Sequence, residues 1–88
     1  MGIDLKYGKV TLENGNVGED EPVVVFRATD KLLPKVLAYY HSFCLKDGSP
    51  RHHLDLILDS REAVIAWQQE HGSRVPNSDA YIARKVTG

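Results

Sequence analysis

Apolar and polar residues alternate over Leu5-Lys6-Tyr7-Gly8-Lys9-Val10-Thr11-Leu12, the period-two pattern of a half-buried β-strand. In that register Val10 and Leu12 face inward and Lys9 and Thr11 face out, with Gly8 marking a bulge or a close backbone approach. Asn14-Gly15 supplies the positive φ angles of a tight turn. An acidic block, Glu19-Asp20-Glu21, precedes Pro22. Val23-Val24-Val25-Phe26 is β-branched without alternation, which predicts a second strand whose two faces both leave water. Helices can cover one face of so small a sheet. The other is expected to pack on a second copy of the chain, the alternative being a C-terminal segment folded back over it.

Beyond the strands the apolar spacing changes to three and four. Arg27-Ala28-Thr29-Asp30 leads into a first helix, with Thr29 or Asp30 as its cap and Pro34 confined to the first turn. Leu33, Val36, Leu37, Tyr40, Phe43 and Cys44 form its apolar face. Gly48, after Lys46-Asp47, suits the left-handed position that ends a helix. Ser49-Pro50 then starts a second helix, with Ser49 as cap and Pro50 at the first helical position. Leu54, Ile57, Val64 and Trp67 lie along one face of it, and Glu70-His71-Gly72 closes it. The short connection makes the two helices an antiparallel hairpin. The pattern therefore predicts an α+β fold: a two-stranded antiparallel β-ribbon followed by an α-helical hairpin, in a homo-oligomer. Residues 1–72 are read as a single ββαα domain, and residues 73–88 as a C-terminal extension or a short helix near Ser78–Lys85.

Composition narrows the class. The chain has 88 residues, 42% hydrophobic and 26% charged, which fits one globular domain and argues against wholesale disorder. Eleven Lys+Arg against 12 Asp+Glu leave a net charge of -1, so duplex nucleic acid is an unexpected partner. A ribbon-helix-helix DNA binder also joins a strand to two helices, but here the ribbon is too apolar to read base edges. Cys44 is the single cysteine, which excludes an internal disulfide and a four-cysteine metal site. No apolar run approaches the roughly 20 residues of a membrane span, and Met1–Lys6 has no signal-peptide core. These features predict a soluble, cytoplasmic protein. P-loop, Gly-x-Gly-x-x-Gly, Gly-x-Ser-x-Gly and His-Glu-x-x-His patterns are all absent, and the expectation is a binder, not an enzyme.

Candidate chemistry gathers around the helix ends. Arg51, His52 and His53 stand in the first turn of the second helix, where free N–H groups and the helix dipole favour an anion. The plainer reading is that they only decorate the helix start. Arg27 continues the register of Val23 and Val25 and needs a carboxylate or an anionic ligand if buried; Asp30 or the acidic block could serve. Lys31 adds a second cation there. Tyr39 and Tyr40 are adjacent and cannot share a helix face, so one is left for an interface or for stacking on a base. His41 and Cys44 share a face, with His52 and His53 close enough to complete a zinc site, although a thiol in an apolar stripe commonly packs as a small hydrophobe. No metal or cofactor is assigned. Asp55, Asp59 and Glu62 run down one side of the second helix and are read as a solvated face.

Three stretches, Lys6-Tyr7-Gly8-Lys9-Val10-Thr11-Leu12-Glu13, Glu19-Asp20-Glu21-Pro22-Val23 and Arg27-Ala28-Thr29-Asp30-Lys31, resemble a family of small accessory proteins of tailed phages and prophages, often of actinobacteria; Trp67-Gln68 and Pro76 fit the same pattern. The resemblance is sharpest over residues 6–31 and implies a setting, not a mechanism. Some small phage proteins bind host proteins, and some sequester the nucleotide signals of host defence. The expected function is accordingly a non-enzymatic, counter-defence accessory protein. It would bind a small anionic, nucleotide-like ligand at a subunit interface through Arg27, Lys31, Arg51, His52 and His53, with Tyr39 or Tyr40 on the base. The alternative is a protein–protein interaction module that docks on a host or virion protein.

Overall fold

The computed structural model describes residues 1–79. Met1–Val25 and Phe26–Pro76 belong to two compact units.

The first unit contains β1 (Gly2–Asp4) and β2 (Gly8–Val10), paired antiparallel with Gly2 opposite Val10, Ile3 opposite Lys9 and Asp4 opposite Gly8. The buried Asp4 carboxylate closes the intervening turn. Its Oδ1 accepts the N–H groups of Lys6 (2.8 Å) and Tyr7 (2.7 Å), and its Oδ2 accepts that of Val25 (2.6 Å). Gly8 leaves the turn at φ 94°, a conformation open to glycine at no steric cost. A third segment runs beside β1 in parallel: Ile3 N–H donates to Glu21 O and Val23 N–H to Ile3 O, both at 2.9 Å. Pro22 sits opposite Ile3 in that bridge, where the ladder asks no donor of it.

The two-stranded antiparallel ribbon and the helices after it are as the sequence predicts, but the strands are drawn differently. Leu5–Tyr7 are the turn of the hairpin, and the partner of β2 is Gly2–Asp4, not Val23–Phe26. The side chain of Asp4 holding two backbone N–H groups interrupts the alternating run that reads as one strand. Val23–Phe26 is extended yet outside any strand: Val23 and Val25 are half-buried, whereas Val24 is 76% exposed and Phe26 is also open. One face of this segment, not both, is withdrawn from water within the chain.

The second unit holds α1 (Leu33–Lys46) and α2 (Arg51–His71). Asp30 Oδ1 accepts the Leu32 N–H at 2.8 Å just before α1, and Pro34 falls in the first turn. Past Asp47 the chain turns through Gly48 at φ 80°. There Ser49 N–H donates to Cys44 O (2.9 Å) and Gly48 N–H to Leu45 O (3.3 Å), the paired bonds of a Schellman ending. α2 starts one residue later than predicted, with Pro50 in the capping position and no side-chain cap from Ser49. It stops at Gly72, φ 83°.

The helices are antiparallel, and Leu33, Cys44 and Ile57 are buried in this unit, with Leu37, Leu54, Val64 and Ile65 half-buried. Two side chains fix the register. Arg61 Nε donates to Pro34 O (3.2 Å), and the Gln68 amide donates to both Ala28 O (2.9 Å) and Asp30 O (2.8 Å). The chain then returns along the α1 entrance: Lys31 N–H donates to Arg74 O and Arg74 N–H to Thr29 O, both at 2.9 Å. The short helix expected near Ser78–Lys85 falls mostly on residues 80–88, outside those described.

Candidate functional site

Five of the seven residues expected to hold a ligand divide between the two ends of the hairpin, and Tyr39 and Tyr40 stand midway along α1. Arg27 and Lys31 are exposed at the entrance to α1, where the Arg27 carbonyl accepts the Asp30 N–H (2.9 Å) in the turn that starts the helix. Arg51, His52 and His53 stand at the start of α2, beside the far end of α1. The 14 residues of α1 put about 21 Å between these ends. Arg51 is spread into solvent and meets Asp55 at 3.8 Å. That is the one ion pair among the described residues, and surface pairs of this kind contribute little. Asp59 and Glu62 are likewise exposed.

The two tyrosines part company as adjacency on a helix requires. Tyr40 turns its ring edge-on to His53, with centroids 6.0 Å apart and planes at 87°. One turn further on, Cys44 raises the pKa of the Tyr40 phenol above the ordinary tyrosine value, chiefly through a side-chain hydrogen bond and secondarily through electrostatic repulsion. His41 is half-buried on the inner side of α1 beside the buried Cys44. No group of three or more His, Cys, Asp or Glu side chains suited to a metal ion occurs among the described residues.

Tyr39, 68% exposed, lines a shallow open depression of about 360 Å³ with Lys35, Ala38, Ser42 and Arg61. Lys35, Tyr39 and Ser42 follow one another at spacings of four and three along one side of α1. Arg61 reaches across from α2 and is steadied by its bond to Pro34 O. Neither cation is in an ion pair among the described residues. A phenol ring, a hydroxyl and two positive charges can receive a small anion there. Sequence reasoning found Tyr39 and missed its neighbours. The signal was present in the helical spacing of Lys35 and Ser42, but the arrival of Arg61 depends on the register of the hairpin.

The larger feature is apolar. From the residue that caps α1 onward, Leu32, Val36, Tyr40 and Phe43 each precede by one residue a member of the inward row Leu33, Leu37, His41 and Cys44. Along α2, Leu56, Ala63 and Trp67 likewise precede Ile57, Val64 and Gln68. One residue back is a rotation of 100° about a helix. On antiparallel helices, equal rotations in sequence direction lead to the same side of the pair. The two outer rows therefore form one continuous face, and the contact of Tyr40 with His53 lies where they meet. All seven residues are exposed, Phe43 by 64% and Leu56 by 59%. No helix among the described residues is long and apolar enough to cross a membrane. Compared with protein-family models, with curated proteins and with solved structures, the chain matches none.

Proposed function

We propose that this protein is a non-enzymatic interaction module that docks on another folded protein through the outer face of its helical hairpin. One observation carries the reading. Leu32, Val36, Tyr40, Phe43, Leu56 and Trp67 lie on the same side of α1 and α2, and each is more than a third exposed. Single exposed apolar residues are normal, but a contiguous set on a rigid scaffold marks an interaction site. Large aromatic side chains at the middle of such a face are the usual anchors of binding energy. The phage setting implied by residues 6–31 makes a host or virion protein the target of such a module.

The test is cross-linking of the full chain in host extract, with Phe43→Glu/Leu56→Glu as the face variant and Asp55→Asn/Glu62→Gln as a surface control. Discrete adducts are expected for the wild type and the control and not for the face variant, whose helical circular dichroism should be unchanged. An identical adduct pattern in all three would discard the reading.

A second reading rests on the depression between Lys35 and Arg61. It takes a small anionic, nucleotide-like ligand, with phosphate against the two cations and a base on the Tyr39 ring. Calorimetric titration with cyclic nucleotides and ADP-ribose should give heat that Lys35→Ala abolishes; silence across the panel removes this reading.

A further inference from the structure

We infer that the first occupant of the hairpin's apolar face is a second copy of the same chain, with α1 of each copy lying antiparallel on α2 of the other in a two-fold four-helix arrangement. The inference rests on the docking reading above and makes a second copy of the chain the resting occupant of that face, which a host or virion protein would have to displace. Two observations select a sister molecule over an unrelated surface.

The first is area. With aromatic side chains presenting roughly 150–250 Å² each, the six large residues of the face leave on the order of 600 Å² open. A standard interface buries roughly 800 Å² per partner, a sum that the adjoining Ala63, Ser60 and the rims of both helices complete. The face is two helices wide. A second identical hairpin matches that shape, as in four-helix bundles with two short-looped hairpins.

The second is charge. α1 carries Lys35 and Lys46 and neither Asp nor Glu, for a net of +2. α2 carries Arg51 and Arg61 against Asp55, Asp59, Glu62 and Glu70, for a net of -2 with its histidines neutral. Face-to-face pairing of two hairpins admits two symmetric stackings. A two-fold axis across the helices puts α1 on α1 and α2 on α2, like charge on like. An axis along the helices puts α1 on α2 in both halves, opposite on opposite, and keeps every neighbouring pair antiparallel. Leaving out Lys35 and Arg61, which line the depression on the other side of the hairpin, the balance keeps these signs, +1 on α1 and -3 on α2. Complementary potentials fix register and orientation at interfaces, so the second stacking is the favoured one. Phe43 and Leu56 are then interior to the assembly, and the two α1 helices are diagonal to each other. Ala38, Ser42 and Arg61 lie on the opposite side of the hairpin, so the basic depression remains open in each copy.

The experiment is light scattering of the full chain over a range of concentrations, joined to thiol cross-linking. The expected mass is twice the 9.9 kDa of one chain. Phe43→Glu should return the chain to a monomer with the helical signal retained, and Leu56→Glu repeats the test should the first variant unfold. Pairing is read from cysteines introduced on the face while Cys44 stays buried. Val36→Cys mixed with Ser60→Cys should give an interchain disulfide under mild oxidation, since a bridge needs Cα atoms within about 7 Å. Val36→Cys alone should give none, because diagonal helices are too far apart. A wild-type monomer at all concentrations overturns the inference, and the docking reading then survives only if the face variant still abolishes adducts with other proteins. A dimer indifferent to both glutamate variants, or one in which Val36→Cys links to itself, overturns it as well.

Discussion

Asp4 is a short side chain on which much of the N-terminal unit depends, and removing its carboxylate is the sharpest perturbation available there. Its two oxygens accept the N–H groups of Lys6, Tyr7 and Val25 at 2.8, 2.7 and 2.6 Å. Hydrogen bonds to an ionised acceptor contribute roughly 1.5–3 kcal/mol each and are not additive when they share one group. Asp4→Ala is therefore expected to destabilise the unit by about 3 kcal/mol, a large part of the stability of any small fold. Asp4→Asn is the informative companion. Its single carbonyl oxygen can serve the turn or Val25 but not both, and its NH2 then faces a donor, so about half of the loss is expected. Met1–Val25 holds no helix, so the readout is amide exchange at Ile3 and Val23. Those N–H groups bond to backbone carbonyls of Glu21 and Ile3 and do not touch Asp4 directly. A loss of 3 kcal/mol corresponds to roughly 100-fold faster exchange through opening, at about 1.4 kcal/mol per factor of ten. Exchange at Ile3 and Val23 within about threefold of wild type in Asp4→Ala would refute the assignment of Asp4 as the organiser.

Gly2 is buried, and a Cβ there would sit 2.7 Å from Val23 Cγ1 and 3.0 Å from Val17 Cγ1. Gly2→Ala should cost about 1–3 kcal/mol by overpacking, and Val23→Ala in the same chain should recover most of it; failure of that rescue in an exchange experiment counts against the contact. Gln68→Leu strips a donor from the Ala28 and Asp30 carbonyls. It should lower the melting temperature by roughly 10 °C, for a loss of about 2 kcal/mol, whereas an unchanged melt removes the clamp. The raised pKa of Tyr40 favours its neutral phenol in the folded state. That contribution is complete below the ordinary tyrosine pKa of about 10 and is lost as pH rises through the higher folded value. Spectrophotometric titration should show a late-ionising phase that Tyr40→Phe deletes and Cys44→Ala moves to lower pH; a late phase that both variants leave in place contradicts it.

The helices were legible because their signals are local. Gly48 and Gly72 stop both helices at positive φ, and the rows at spacings of three and four fix which residues turn inward. The strands were less so. Leu5–Leu12 alternates well enough to read as one strand, but the decisive residue is Asp4, just outside that window, whose side chain competes with the ladder for two backbone donors. Val23–Phe26 looks doubly apolar in sequence, yet among the described residues its hydrogen bonds are those of the parallel bridge at Pro22 and the side-chain bond at Val25, and Val24 and Phe26 stay exposed. The candidate site suffered most. Arg27 and Lys31 approach Arg51, His52 and His53 only if the helices between them are ignored; counting the rise along α1 separates the groups. Arg61 could not be placed beside Tyr39 before the register of the hairpin was known.

The unequal helices have a mechanical consequence. With 21 residues against 14, α2 outruns α1 by seven, about 10 Å. Within one copy that overhang has no helical neighbour among the described residues, and it is tethered by peptide carbonyls gripping Gln68 and by the chain returning at Arg74. It is a cantilever, and its root is where bending stress collects. Trp67, the chain's single tryptophan, stands on that free end, stacked on the His71 ring at 4.3 Å, so its intrinsic emission should register the beam working loose before the rest of the hairpin gives way.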